Sequence, residues 1–193
     1  MNTPRQAAHS TAADNGWTPW KVLFLAAWVA QLVFVVVSAD WLPAVVVDEH
    51  HGGKTWSRDA YLAITLFHSV LAPWMCTWGV ALIARHLQFG LNLPNKDYWL
   101  APERREATLA RLTRALWPLG LLILAVQAGG HAMVMASTLH WAVPDALPIG
   151  VGVVWVAALT VWVIELRRSF TLPKTAAPVA GPRSRAPQRR PGR

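Results

Sequence analysis

Four polar side chains stand inside runs that otherwise hold mostly apolar residues: Gln31, His68, Gln127 and His131. Polar groups in such surroundings are costly and often functional. At helical rise, Gln31, His68 and His131 each fall ~12 Å from one end of their runs, counted from Ala39, Ala60 and Leu139, and Trp155 matches them from Leu147. Gln127 falls one turn deeper than His131 on the same helix face. Three kinds of chemistry fit this polar layer. The default is a packing layer, in which neutral imidazoles and carboxamides bond across helices and stabilise each contact by about 1 kcal/mol or less. The second is a haem b held by His68 and His131 from two helices, as in an electron-transfer subunit. The third is a proton or ion path through Gln127, His131 and His68, which no carboxylate accompanies. The expectation is no cofactor, with haem b as the alternative.

A second group of ligand-type residues lies between the first two apolar runs. Asp48, Glu49, His50 and His51 are consecutive, and His140 stands in a later connection. Their donor atoms suit a divalent metal. Adjacent loop residues seldom all reach one ion and no HExxH spacing is present, so a solvated acidic loop is the default reading. Cys76 is the single cysteine, inside an apolar run, where a thiol packs as a small apolar group. The chain has no GxxxxGK[ST], no Gly-rich dinucleotide loop, no GxSxG and no pair of intramembrane Asp. The expectation is a non-catalytic protein.

The elements that must position these residues are long apolar helices. Residues 22–39, 60–84, 115–139 and 147–164 contain no Asp, Glu, Lys or Arg. A membrane-crossing helix needs ~20 apolar residues. Charged residues are 15 % of the chain and mean hydropathy is +0.30, against about 25 % charged in soluble domains. A soluble enzyme, a disordered acidic chain and a secreted disulfide scaffold are excluded. The expected fold is all-α, an integral membrane four-helix bundle over 17–172, with spans about 20–39, 60–84, 115–139 and 147–166. The tails 1–16 and 173–193 read as disordered, the second rich in Pro and Arg.

Charge placement orients the bundle. Arg5 and Lys21 precede the first span, six Lys and Arg lie between the second and third, and eight follow the fourth, leaving only Lys54 and Arg58 elsewhere. Basic loops stay in the cytoplasm, so both termini and the middle loop are expected inside. Loops 40–59 and 140–146, with Asp40, Asp59 and Asp145, are expected outside. Val37-Ser38-Ala39 has the small residues of a signal cleavage site, but the apolar run before it is longer than such signals carry, so a retained helix is expected. The basic groups flank lipid spans, which points to anionic lipid at the C-terminal tail and not to nucleic acid. A membrane-protein partner or a second copy completes the expected partners.

Twelve Trp are present. Trp17, Trp20, Trp41, Trp56, Trp99, Trp117 and Trp141 stand near span ends, where an indole suits the headgroup boundary. Pro73 and Pro118 lie inside the second and third spans and are expected to kink them.

The middle loop reads Asn92-Leu93-Pro94-Asn95-Lys96-Asp97-Tyr98-Trp99-Leu100-Ala101-Pro102-Glu103-Arg104-Arg105-Glu106. Turn chemistry surrounds Pro94, and Pro102 with Glu103 suits a helix start. Leu109, Leu112 and Leu116 then form one apolar stripe, so an interfacial amphipathic helix is expected before the third span. Asn95, Lys96, Asp97, Tyr98, Trp99, Glu103, Arg104 and Arg105 are the expected cytoplasmic interaction surface. The stretch 92–106 resembles the signature of a domain-of-unknown-function family of small bacterial multi-pass membrane proteins. The resemblance implies an integral bacterial membrane protein, expected in the cytoplasmic membrane, and brings no catalytic residue. Some distant relatives of that family act in peptide-toxin immunity and signalling, which implies a sensor or receptor role.

Overall fold

The computed structural model describes residues 18–48, 53–86, 93–144 and 146–172. The two tails, Glu49, His50, His51 and Asn92 lie outside the described residues. Helix α1, Pro19–Val37, starts with Thr18, whose hydroxyl accepts the Lys21 N–H at 3.3 Å, and has Pro at the first helical position. A 3₁₀ turn, Ser38–Asp40, ends it. Strands β1, Val45–Asp48, and β2, Lys54–Ser57, pair antiparallel. Ser57 then caps α2, Arg58–Trp74, by accepting the Ala60 N–H. A π-helical turn, Met75–Gly79, joins α2 to α3, Val80–His86. Short α4, Lys96–Trp99, precedes α5, Pro102–Thr138, and α6, Ala146–Ser169.

Four helical rods are long and apolar enough to cross a membrane: Pro19–Asp40, Arg58–His86, Pro102–Thr138 and Ala146–Ser169. They contain the four uncharged runs, and their surfaces carry Val, Ile, Leu and Trp. The chain is a helical membrane protein. Its packing differs from a symmetric four-helix bundle. Rods α1, α2–α3 and α5 enclose the core, whereas α6 rests on α5 and has no residue buried along its apolar window. The Val and Ile side chains of α6 are open along most of its length.

Proline and small residues set how closely the three rods approach. Pro73 has no N–H, so the Ser69 carbonyl four residues earlier lacks its helical donor. The Trp28 indole N–H from α1 supplies it at 2.6 Å. Two residues later the helix widens into the π-helical turn, and the Thr77 hydroxyl donates to the Pro73 carbonyl at 2.7 Å. The expected disturbance of the second span thus takes the form of a π turn. Pro118, by contrast, lies within α5, which continues as one helix past it. On the facing side of α5, Gly120 admits the Phe24 ring: a Cβ there would lie 2.5 Å from Phe24 Cε2 and 2.7 Å from Thr77 Cγ2. Phe24, Trp28, Trp78 and Trp117 stack around this contact with centroids 5.2–5.7 Å apart. Trp117, expected near a span end, is a core ring at 4 % exposure.

Two further differences from the sequence expectation concern the ends. The stripe of Leu109, Leu112 and Leu116 is buried, with Leu109 and Leu112 packed against Ala84 and Phe170. It belongs to a continuous 37-residue α5, ~55 Å long, in which 102–114 runs directly into the third uncharged run. At the opposite end, the expected loop 40–59 contains the antiparallel pair β1 and β2. The β-branched run Val45-Val46-Val47 alternates: Val45 is 55 % exposed, Val46 0 % and Val47 36 %. Val46 with Leu42 seats on Val134 and Met135 of α5, which closes that end of the bundle.

Candidate functional site

His131 is the most enclosed titratable group among the residues singled out from sequence, at 3 % exposure. It sits on α5 between the ends of α1 and α2. The Ser38 hydroxyl has one proton and gives it to the Val35 carbonyl at 2.7 Å. Ser38 therefore accepts from His131 Nε2–H, at 2.8 Å. That leaves Nδ1 as the acceptor for the Tyr61 O–H, at 2.7 Å. The chain Tyr61 to His131 to Ser38 to Val35 thus runs one way across three helices, with Phe34 edge-on to the imidazole at 5.0 Å. A Ser–His contact at this distance has the spacing of an activated nucleophile. Here the direction is reversed: the imidazole donates, the hydroxyl proton rests on a carbonyl, and Ser38 is fully buried. The arrangement ties helices together.

Gln127 occupies a separate, deeper level. Its Nε2 donates to the His68 carbonyl at 2.8 Å, next to the Trp28–Ser69 bond. Gln31, buried at 4 % exposure, lies one turn along α1 from Trp28. Among the described residues, Gln31 Nε2, Ser69 Oγ and Gln127 Oε1 have no hydrogen-bond partner. The single polar layer expected from sequence is therefore two levels, Ser38–Tyr61–His131 and Gln31–Ser69–Gln127. Depths counted from the ends of uncharged runs misjudged the register, because α2 starts at Arg58 and α1 ends in the 3₁₀ turn. Ser38 and Tyr61 were missed as polar partners; Tyr61 lies one turn after the Ser57 cap, a position from which a hydroxyl can reach inward.

His68 lies elsewhere. Its ring is exposed on α2, and Nδ1 donates to the Ile64 carbonyl of its own helix at 2.9 Å. Both nitrogens of His131 are engaged. A haem on both imidazoles would require His131 to give up its bond to Ser38 or Tyr61, whereas the Nδ1 bond of His68 leaves its Nε2 open. Of the expected metal ligands, Asp48 pairs with Lys54 in the hairpin register and His140 is exposed in a left-handed turn at φ 55°. Among the described residues no three His, Cys, Asp or Glu side chains converge on one point.

The middle segment divides into residues turned inward and residues left outside. Asn95, at φ 56°, caps α4 from the left-handed region, which Asn tolerates. Trp99 donates to the Phe170 carbonyl at 2.8 Å and packs on the Phe170 ring at 5.6 Å. Its own carbonyl accepts the Thr108 hydroxyl. Arg105 donates to the Arg85 carbonyl at 2.8 Å and Arg111 to the Ser169 carbonyl at 3.0 Å. These guanidinium groups meet the last turns of α3 and α6, whose end carbonyls lack helical donors. The segment is thus a latch across the ends of three rods. Asn95, Asp97, Glu103 and Arg104 remain exposed, Arg104 over the Tyr98 ring at 4.2 Å, and Lys96 is half-buried.

What fold and site define is a class: a small helical membrane protein whose interior polar groups fasten helix to helix. No family model matches the chain, and no curated protein or solved structure does either.

Proposed function

We propose that this chain is a small, non-catalytic protein of the bacterial cytoplasmic membrane that works as a sensor, scaffold or partner subunit. Both termini and the 93–101 latch lie in the cytoplasm, and the Val45–Ser57 hairpin faces outward. The placement of Lys and Arg supports this orientation, and the basic tail would rest on anionic lipid. The likeness of 92–106 to a bacterial membrane-protein signature supports the location. One observation carries the partner role: α6, a 24-residue apolar helix, is covered only along the face that rests on α5, while every other rod is packed on at least two sides. Trp155 and Trp162 fasten it to the Leu122 and Ala115 carbonyls of α5, at 2.9 and 2.8 Å, so its outer face is held in a fixed direction. The partner would be a transmembrane segment of another protein or of a second copy.

The test is photo-crosslinking in intact membranes. A crosslinking residue replacing Val153, Val156 or Val161 on α6 is expected to give one discrete protein adduct. The same residue replacing Val29 or Val33 on α1 serves as the control. Equal, diffuse reaction with lipid from both helices would remove the partner role.

A further inference from the structure

A groove of about 870 Å³ opens between α1, the α2–α3 rod and α5. Its size lies within the usual range for ligand sites, roughly 300–1,000 Å³. Lys21 of α1, Arg85 of α3 and Arg114 of α5 line one end of it. Thr18 and Thr113 add hydroxyls at the same end. Lys21 Nζ lies 5.6 Å from the Trp117 ring centroid, which places the cation where the polar end meets the aromatic wall. Beyond it the walls are Trp28, Trp74, Trp78 and Trp117. The length of rod from Arg85 back to Trp74 is ~16 Å at helical rise, about half of the ~30 Å hydrocarbon thickness. A positive mouth at the membrane surface above an apolar, aromatic channel one leaflet deep fits an amphiphile with an anionic head. Residues that only orient a protein need not converge on one groove from three helices.

We infer that this groove binds an anionic phospholipid of the leaflet facing the basic side, its phosphate against Lys21, Arg85 and Arg114 and one acyl chain along the four tryptophans. The inference rests on the membrane-spanning reading above and adds a ligand to it.

The test uses the full-length protein in phosphatidylcholine vesicles containing phosphatidylglycerol. Bromines are carried on the acyl chains of one lipid or the other, and tryptophan quenching reports which lipid is enriched at the protein. Brominated phosphatidylglycerol is expected to quench more than brominated phosphatidylcholine at equal content. Arg85→Gln alone, at an exposed side chain, is expected to lower the relative affinity roughly fivefold, and K21Q/R85Q/R114Q to remove the preference. The charge-keeping K21R/R85K/R114K is expected to retain it. A tail variant, R183Q/R185Q/R189Q, is expected to retain it too. The inference is overturned if the groove variant keeps the preference, if the tail variant loses as much, or if the charge-keeping variant loses it. Flotation after carbonate washing separates the two levels: protein that washes off the vesicles refutes the spanning reading, whereas protein that floats without lipid preference refutes only the groove.

Discussion

Trp28 and Pro73 are expected to be coupled, because one supplies the donor that the other removes. With Pro73 present, the Ser69 carbonyl has the Trp28 indole as its donor from outside the helix, at 2.6 Å. Trp28→Phe keeps most of the ring against Phe24 and Trp78 but leaves that carbonyl unpaired in an apolar setting. An orphaned buried acceptor costs about 1–3 kcal/mol in soluble proteins, while interhelical hydrogen bonds in membranes average about 0.6 and reach about 1.7. We therefore expect Trp28→Phe to cost about 1–2 kcal/mol. In a Pro73→Ala background the alanine amide can pair with the Ser69 carbonyl within the helix, so the same change is expected to cost ~1 kcal/mol less. The assay is a double-mutant cycle of reversible unfolding in mixed micelles, the folded fraction being followed by far-UV circular dichroism as denaturing detergent rises. A coupling energy below about 0.3 kcal/mol, within ordinary additivity error, would refute the reasoning.

Three other outcomes follow from the packing and are read by the same unfolding titration or by proteolysis. Gly120→Ala would press a methyl into Phe24 and Thr77 and should destabilise by about 1–3 kcal/mol, whereas Gly129→Ala, with nothing within 4 Å, should be neutral or slightly stabilising. Val46→Ala should cost about 1–3 kcal/mol because its side chain is fully buried at the bundle end; Val45→Ala on the opposite hairpin face should stay within about 0.5 kcal/mol. Arg111→Ala removes the donor to the Ser169 carbonyl and its contact with Trp99, so cleavage after Arg167 or Arg168 by trypsin should quicken severalfold while the rods stay folded. Unchanged cleavage would deny the latch.

The helical rods were legible in the sequence because uncharged length is a one-dimensional property: a run such as 60–84 needs no partner to be read. Which helices touch was not legible. Nothing in the composition of 147–164 distinguishes it from 22–39, yet α6 is peripheral and α1 is enclosed on its core face. That difference is decided by partners such as the Gly120 notch for Phe24, a contact between residues far apart in the chain. The strand pair was hidden by its brevity: three valines between Pro43-Ala44 and Asp48 look like any short connection until Val46 meets Val134. The polar candidates were half legible. His131 and Gln31 could be singled out and both are buried, but the partners of His131, Ser38 and Tyr61, sit at helix ends where hydroxyl side chains are unremarkable. The middle segment stood out by its residue types, but its Arg and Trp serve the ends of α3 and α6 through carbonyl contacts that no residue pattern announces.

The central claim, four rods embedded in lipid with the latch inside and the hairpin outside, is tested most directly by labelling single cysteines in intact cells. In a Cys76→Ser background, Thr55→Cys in the hairpin should react with a membrane-impermeant maleimide before permeabilisation. Asp97→Cys in the latch and Ser184→Cys in the tail should react only after it. Labelling at position 97 in intact cells together with protection at position 55 would contradict the account.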